Sequence, residues 1–201
     1  MKKLALTDFA KYRYPSALEL SPDGRYLTFA LKEVDREGDG YRWNLWLYDL
    51  ESRESRQITQ GDDQRQAVWE DNTHILYKTT EPDEAMRARG FEEEWTVYHR
   101  LNVCTGEERE AFRLPMSVSG LWKMDEGRYV FTGETHLDRP NLLELTGEAL
   151  EKELVRRQQT KGYKVLTELP LCENGVGMFN QTRITLFLYC LLYTSDAADD
   201  L

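Results

Sequence analysis

The stretch Ser21-Pro22-Asp23-Gly24-Arg25-Tyr26-Leu27-Thr28-Phe29-Ala30 decides the fold of this chain. Its first four residues have the composition of a tight turn. Pro22 presets φ at the second position, Asp23 can accept hydrogen bonds from nearby backbone, and Gly24 adopts a positive φ at little cost. From Tyr26 onward, large apolar side chains recur at every second position, which is the period of a β-strand. The stretch therefore predicts a β-hairpin with its turn at 21–24.

The predicted hairpin belongs to a unit of four strands. Residues 16–20 lead into the turn, and residues 26–34 return from it. A polar loop with two glycines then precedes an aromatic-rich third strand at 43–50, and a fourth short strand follows at 55–59.

The four-strand pattern restarts twice along the chain. The second unit has predicted strands at 67–69, 74–79, 95–103 and 109–114. The third has predicted strands at 117–123, 128–135 and 183–189, with helix formers at 147–159 in a long insertion. The turn aspartates Asp23, Asp71 and Asp125 lie 48 and 54 residues apart. Four strands per repeat at this period are the signature of β-propeller blades.

The repeats predict an all-β chain, a β-propeller with four-stranded blades of which about three are present, with a short helical insertion in the third. Residues 1–15 are a lead-in, where Thr7 or Asp8 is expected to cap a short helix. The blades are expected at 16–63, 64–115 and 116–189. Three blades form an incomplete propeller with uncovered faces and an open strand edge, so aggregation or partial disorder is expected.

Residues 190–201 differ in kind from the rest of the chain. They resemble the translated sequencing-adapter tails that end some gene sequences, and they begin where a fourth strand of the third blade is due. We expect them to be a non-native tail. The chain is then expected to be a fragment of a longer protein.

The composition argues against several classes of function. The formal net charge is −10, and Lys and Arg are scattered, so a nucleic-acid partner is not expected. No stretch approaches the roughly 20 apolar residues of a membrane span, and no signal peptide is evident, which predicts a cytoplasmic protein. Cys104, Cys172 and Cys190 are irregularly spaced and indicate neither a disulfide framework nor a metal site. No cofactor is expected.

Aromatic and imidazole side chains give no sign of a separate site. The tryptophans recur on predicted strands from unit to unit, which favours packing between blades over a surface that stacks sugars or bases. They are Trp43, Trp46, Trp69, Trp95 and Trp122. The histidines lack metal-ligand spacing, so packed or surface positions are expected for His74, His99 and His136.

Several short motifs together resemble one family of enzymes. They are Leu-Thr-Asp-Phe at 6–9, Ser-Pro-Asp-Gly-Arg-Tyr at 21–26, Asn-Leu-Trp-Leu-Tyr-Asp at 44–49, Gln-Ile-Thr at 57–59, Val-Leu-Thr-Glu-Leu-Pro at 165–170 and Asn-Gly at 174–175. In this order they resemble the amino-terminal propeller of the prolyl oligopeptidase family, in its acylaminoacyl-peptidase and dipeptidyl-peptidase-like branch. The resemblance covers residues 4–189.

The resemblance implies a serine peptidase of two parts. A propeller covers the active site of an α/β-hydrolase domain and admits short peptides, and the serine lies in a G-x-S-x-G turn. This sequence contains no G-x-S-x-G, so the chain alone is expected to be inactive. The parent protein is expected to hydrolyse peptides and could be a homo-oligomer. The alternative is a non-catalytic, TolB-like propeller that acts as a protein-interaction scaffold.

The resemblance also implies a candidate site in the second unit. In dipeptidyl-peptidase relatives, paired glutamates that project from the propeller bind the α-amino group of the substrate through charge-assisted hydrogen bonds. Glu92, Glu93 and Glu94, between the second and third strands of this unit, are the candidates. The alternative is a solvated, charged loop that binds nothing.

Overall fold

The computed structural model describes residues 5–35, 38, 40–125, 127–137, 139–162, 171–173, 177–179 and 182–191. The chain divides into two compact units, Met1–Thr79 with Val97–Arg113 and Thr80–Thr96 with Leu114–Leu201. Most of the expected non-native tail and the motifs at 165–170 and 174–175 lie outside the described residues.

The first sheet consists of four consecutive antiparallel strands, in the order in which they occur along the chain. The strands are β1 (Tyr14–Leu20), β2 (Tyr26–Asp35), β3 (Gly40–Asp49) and β4 (Glu54–Gln57). This arrangement confirms the predicted four-strand unit, with strand ends within a few residues of those expected.

A 3₁₀ helix, Leu6–Lys11, precedes this sheet. The helix is preceded by Ala5, so the prediction that Thr7 or Asp8 caps it is wrong. Asp8 is the third residue of the helix, and its carboxylate accepts a hydrogen bond from the Ala5 backbone N–H (2.8 Å). The aspartate therefore stabilises the helix start from inside the first turn.

The second sheet repeats the plan of the first. Its order is β5-β6-β7-β8, with a short helix, α1 (Glu84–Ala88), between β6 and β7. The strands are β5 (Ala67–Trp69), β6 (His74–Pro82), β7 (Glu94–Asn102) and β8 (Glu108–Leu114).

The third sheet has three strands and carries the long insertion. β9 (Val118–Asp125) and β13 (Thr182–Cys190) flank β10 (Arg128–His136). Between β10 and β13 lie a 3₁₀ helix and α2, then a hairpin of two short strands. These elements are Leu142–Glu144, α2 (Gly147–Thr160), β11 (Leu171–Glu173) and β12 (Gly177–Phe179). The insertion and the third strand at 183–189 are as predicted.

The Ser-Pro-Asp-Gly turn closes in the way its composition predicts. The Ser21 hydroxyl donates to the Asp23 carboxylate (2.6 Å) and accepts from the Tyr26 backbone N–H (2.8 Å). The same carboxylate accepts from the Arg25 backbone N–H (3.1 Å). Gly24 has a φ of +74°, the left-handed conformation that favours glycine.

The equivalent turn of the second sheet depends on Asp71. One oxygen of its carboxylate accepts from the backbone N–H groups of Thr73 (2.7 Å) and His74 (2.8 Å). Burial raises the pKa of Asp71. The backbone N–H groups of Thr73 and His74, with the His74 ring, outweigh burial and lower this pKa to about 2. Asp71 therefore has the same kind of role as Asp23 in the first turn, with two backbone N–H donors in place of one.

Replacing Asp71 by asparagine is expected to make the free energy of unfolding depend less on pH below about pH 4. Because the folded pKa lies below that of the unfolded chain, the charged carboxylate stabilises the fold above about pH 4, and this contribution is lost as pH falls toward 2. Asparagine can still accept the two backbone hydrogen bonds but does not titrate. Urea unfolding at several pH values from 6 to 2 measures the difference, and parallel profiles for the two proteins would refute this role.

The core of the first unit lies between the first and second sheets. It consists of Ala30, Leu45, Leu47, Ala67, Trp69, Ile75, Tyr77, Leu101 and Val103, all buried. Trp69 stacks on the Tyr26 ring at 6.5 Å between centroids and donates its indole N–H to the Glu19 carbonyl (3.1 Å). Packing of tryptophan between blades is therefore confirmed at Trp69.

Two other tryptophans behave differently. Trp46 stacks on Phe29 of its own sheet, with 6.5 Å between ring centroids. Trp122 is 51% exposed on the face of the third sheet that also carries Val130 and Leu188, and within the described residues it does not pack between two sheets. In the third sheet the buried face carries Tyr129 and Phe131, and Trp122 lies on the opposite face.

Within the described residues, no helix has the length and apolar character that a membrane crossing requires. The same part of the chain holds no cluster of three or more His, Cys, Asp or Glu side chains suited to a metal ion.

Candidate functional site

The second compact unit, Thr80–Thr96 with Leu114–Leu201, contains an open cleft of about 600 Å³. All three predicted glutamates lie in the wall of this cleft. Glu92 and Glu93 lie between α1 and β7, and Glu94 is the first residue of β7. The other walls come from the residues before β9, the end of β10, the insertion after it and β13. They are Pro115, Met116, Ser117, Glu134, Thr135, His136, Arg139, Pro140, Asn141, Glu144, Arg157 and Phe187.

Asp83 closes the loop that carries the glutamates. Its carboxylate accepts from the Trp95 indole N–H (2.9 Å) and from the Met86 backbone N–H at the start of α1 (2.9 Å). These hydrogen bonds lower the pKa of Asp83, that from Trp95 most. The Asp83 backbone N–H donates to the Glu93 carbonyl (2.8 Å). The two ends of the loop are therefore tied together next to Glu93.

Glu93 is paired with Arg157 of α2. An Nη1 donor of the guanidinium lies 2.7 Å from Glu93 Oε1, and the two side chains are 11% and 22% exposed, Arg157 being the more buried. The negative charge of Glu93 is thus largely compensated inside the protein.

Glu92 and Glu94 are exposed, in contrast to Glu93. Within the described residues, neither carboxylate has a hydrogen-bond or ion-pair partner. The structure therefore brings the three predicted residues to one cleft, and it distinguishes one compensated carboxylate from two that face solvent.

The cleft as a whole is acidic. Five glutamates line it, Glu92, Glu93, Glu94, Glu134 and Glu144, against the arginines Arg139 and Arg157. Arg139 Nη2 lies 3.1 Å from His136 Nε2, so the imidazole nitrogen serves as the acceptor of this hydrogen bond. An excess of carboxylates in a cleft attracts ligands of positive charge.

Side-chain hydrogen bonds order the opposite wall. The Thr96 hydroxyl donates to the Met116 carbonyl (2.7 Å) and accepts from the Val118 backbone N–H (3.2 Å). The Asn141 amide donates to the Pro115 carbonyl and accepts from the Leu143 backbone N–H (2.9 Å).

Two of the histidines lie outside the cleft, and one lines it. His74 is held by Asp71 in the turn before β6, and His99 stacks on Tyr77 at 5.4 Å between ring centroids. His136, at the end of β10, is exposed in the cleft wall.

No pattern in the sequence indicates the role of Arg157. The helix around it was predicted, and spacing along that helix indicates the pair with Glu153 four residues earlier. Its partner Glu93 is 64 residues away. A contact between two surface insertions of different blades has no local sequence pattern, so it becomes visible only in the structure.

The structure is similar to solved structures of peptidases. Over 92% of this chain it matches an acylaminoacyl peptidase from Pyrococcus horikoshii in an orthorhombic crystal form, with 12% identity and a TM-score of 0.60. An acylaminoacyl peptidase in complex with Z-Gly-Gly-Phe-chloromethyl ketone matches over 92% at 11% identity, with a TM-score of 0.59. The isopeptidase AtxE2 matches over 85% at 14% identity, with a TM-score of 0.50.

The fold is that of a β-propeller. The match is to the amino-terminal propeller portion of acylaminoacyl peptidases, which confirms in structure the resemblance found in the sequence motifs. The chain spans about a quarter of those peptidases, 24% in the first two structures and 26% of AtxE2. No protein-family model and no curated protein matches the sequence.

Proposed function

We propose that this chain is the propeller portion of a serine peptidase that hydrolyses short peptides, and that its acidic cleft binds the amino group of those peptides. The observation that carries the proposal is the presence of two open carboxylates, Glu92 and Glu94, in a cleft of a propeller that resembles those of peptidases.

The chemistry of the cleft suits an α-ammonium group. An ammonium has three N–H donors and a compact charge, and a carboxylate accepts such donors in charge-assisted hydrogen bonds. Glu92 and Glu94 can each supply one acceptor without giving up a partner within the described residues. Glu134 and Glu144 add negative charge on other walls of the cleft.

In the proposed parent protein, the propeller controls access and a separate hydrolase domain performs the chemistry. The serine hydroxyl attacks the peptide carbonyl while an imidazole takes its proton, and an oxyanion hole stabilises the tetrahedral intermediate. The C–N bond then breaks as the imidazolium protonates the departing amine, and water hydrolyses the acyl-enzyme to release the acid and restore the serine. The present sequence has no G-x-S-x-G motif, so the roles assigned to it are recognition and access.

Peptide binding to the 201-residue chain tests the cleft. Ala-Ala amide, which has a free amino group, is expected to bind, and its N-acetyl derivative is expected to bind at least about tenfold more weakly. A hydrogen bond to a charged group contributes about 1.5–3 kcal/mol, and 1.4 kcal/mol corresponds to a factor of ten. Isothermal titration calorimetry or NMR titration measures both dissociation constants.

Substitutions assign that affinity to residues. Glu92→Gln and Glu94→Gln are each expected to weaken binding of the free peptide by about tenfold and to leave the acetylated peptide unaffected. Glu148→Gln, an exposed glutamate of α2 outside the cleft lining, is the matched control and should change neither. Equal binding of the free and acetylated peptides would refute the ammonium site.

The gene of the parent protein separates the peptidase from the scaffold alternative. The proposal expects the reading frame to continue into a hydrolase domain with a G-x-S-x-G motif. A stop codon directly after the propeller would exclude the peptidase and leave an interaction scaffold.

A further inference from the structure

Arg157 joins three segments around the cleft. Its guanidinium donates to the Glu93 carboxylate (2.7 Å), to the Pro140 carbonyl (2.6 Å) and to the Glu153 carboxylate one helical turn earlier in α2 (3.0 Å). A guanidinium carries five donors in a rigid, planar arrangement, so one side chain can hold three acceptors in fixed positions.

Arg157 is itself held in place. Glu153 is 9% exposed and receives two further hydrogen bonds from Arg156 (both 2.7 Å). The hydrogen bonds from Arg156 lower the pKa of Glu153, with a further contribution from Arg157. α2 is anchored through Leu154, which is 3% exposed in a cluster with Met86 of α1. The guanidinium is therefore presented by a packed helix.

We propose that Arg157 is a positioning residue, which anchors and neutralises Glu93 and so sets the segment on which Glu92 and Glu94 receive the cationic group. The inference rests on the proposed function of the cleft and divides its three glutamates into one anchor and two ligand-binding carboxylates.

When Arg157 is removed, the direction in which the affinity for a cation changes distinguishes a positioning role from a purely electrostatic one. Arg157 is one of two arginines in an acidic cleft. If it acted only through its charge, its removal would strengthen the binding of a cation, because a repelling charge would be lost. If it positions the glutamate segment, its removal weakens the binding of the same cation.

The test is the binding of Ala-Ala amide to the 201-residue chain with Arg157→Met. We expect binding at least about tenfold weaker than in the unsubstituted chain. Arg157→Lys keeps the charge but cannot reach all three acceptors, so an intermediate affinity is expected. Unchanged or tighter binding in Arg157→Met would overturn the inference.

Arg89→Met is the matched control. Arg89 forms a two-pronged ion pair with Glu151 (2.9 and 2.7 Å), which also links the α1 segment to α2 but does not line the cleft. Its loss is expected to change the affinity by less than about twofold, because exposed ion pairs contribute little. Equal losses in the two variants would assign the effect to general weakening of the α1–α2 contact and overturn the inference.

A measurement without ligand separates this inference from the proposed function. The Asp83 amide donates to the Glu93 carbonyl (2.8 Å), so its hydrogen exchange reports on the segment. In Arg157→Met we expect this exchange to accelerate about tenfold and the Glu92 and Glu94 amide resonances to shift, with neither change in Arg89→Met. If no peptide binds but these changes occur, the proposed function fails and positioning by Arg157 stands. If neither the faster Asp83 exchange nor the resonance shifts occur, the positioning role of Arg157 is refuted, whether or not a peptide binds.

If Arg157→Met does not fold, the Asp83 exchange and the Glu92 and Glu94 resonances are measured in Arg157→Lys, and the same outcomes apply.

Discussion

Replacing Leu45 by alanine is expected to lower the free energy of unfolding by about 3 kcal/mol, within the range of about 2–5 kcal/mol for buried leucines. Leu45 lies in β3, is fully buried, and packs in the cluster formed between the first and second sheets. Its backbone N–H donates to the Thr59 hydroxyl (2.9 Å), which fixes the strand and limits its collapse into the new cavity. Urea unfolding followed by tryptophan fluorescence measures the change.

Leu18→Ala is the matched control for this substitution. Leu18 lies in β1 of the same sheet and is 59% exposed, so its truncation is expected to cost less than about 0.5 kcal/mol. If both variants lost the same stability, the packing of the first sheet on the second would be contradicted. A loss confined to Leu45→Ala supports it.

Much of the fold could be predicted because the deciding signals are local. The Ser21–Asp23 hydrogen bond and the positive φ of Gly24 follow from the residue types of four consecutive positions. The alternation of apolar residues predicts where the strands lie, and the repetition of the four-strand pattern predicts that the strands form propeller blades. The helix in the third unit follows from its composition.

Which face of a strand is covered could not be predicted, because burial depends on distant parts of the chain. Trp69 and Trp122 both occur on blade strands, yet one is 8% and the other 51% exposed. Strand alternation assigns side chains to two faces and does not say which face meets another sheet.

The candidate site was predicted only in part for the same reason. A run of three glutamates is visible in the sequence, but its division into a paired Glu93 and open Glu92 and Glu94 depends on Arg157, from another insertion. The cleft walls at Met116 and Glu134 likewise come from segments with no motif of their own.

The exposed face of the third sheet is expected to make the chain self-associate. Ile184, Leu186 and Leu188 of β13 are 64%, 67% and 60% exposed, and they occupy alternate positions of one strand. A contiguous apolar surface of this kind marks an interaction site or an aggregation liability.

The repeat identifies what kind of surface this is. In the third sheet the Leu191 N–H donates to the Gly127 carbonyl, and in the first the Leu50 N–H donates to the Arg25 carbonyl, so the two hairpins close in the same way. Counted from these bonds, Leu188 occupies the position of Leu47: Leu188 pairs with Val130, and Leu47 pairs with Thr28. Leu47, however, is 3% exposed and lies in the cluster with the second sheet. The residues of β13 are therefore at a position that the first sheet covers with another sheet.

Replacing Leu186 and Leu188 together by lysine is expected to weaken self-association at least tenfold at about 100 μM protein, since charge on an apolar sheet face opposes sheet stacking. Analytical ultracentrifugation measures the mass distribution. Val155→Lys with Gln159→Lys adds the same charge to exposed positions of α2 and should leave association unchanged. A monodisperse monomer with a cooperative melt in the unsubstituted chain would contradict the prediction, because an apolar face at a covered repeat position should not remain in contact with water.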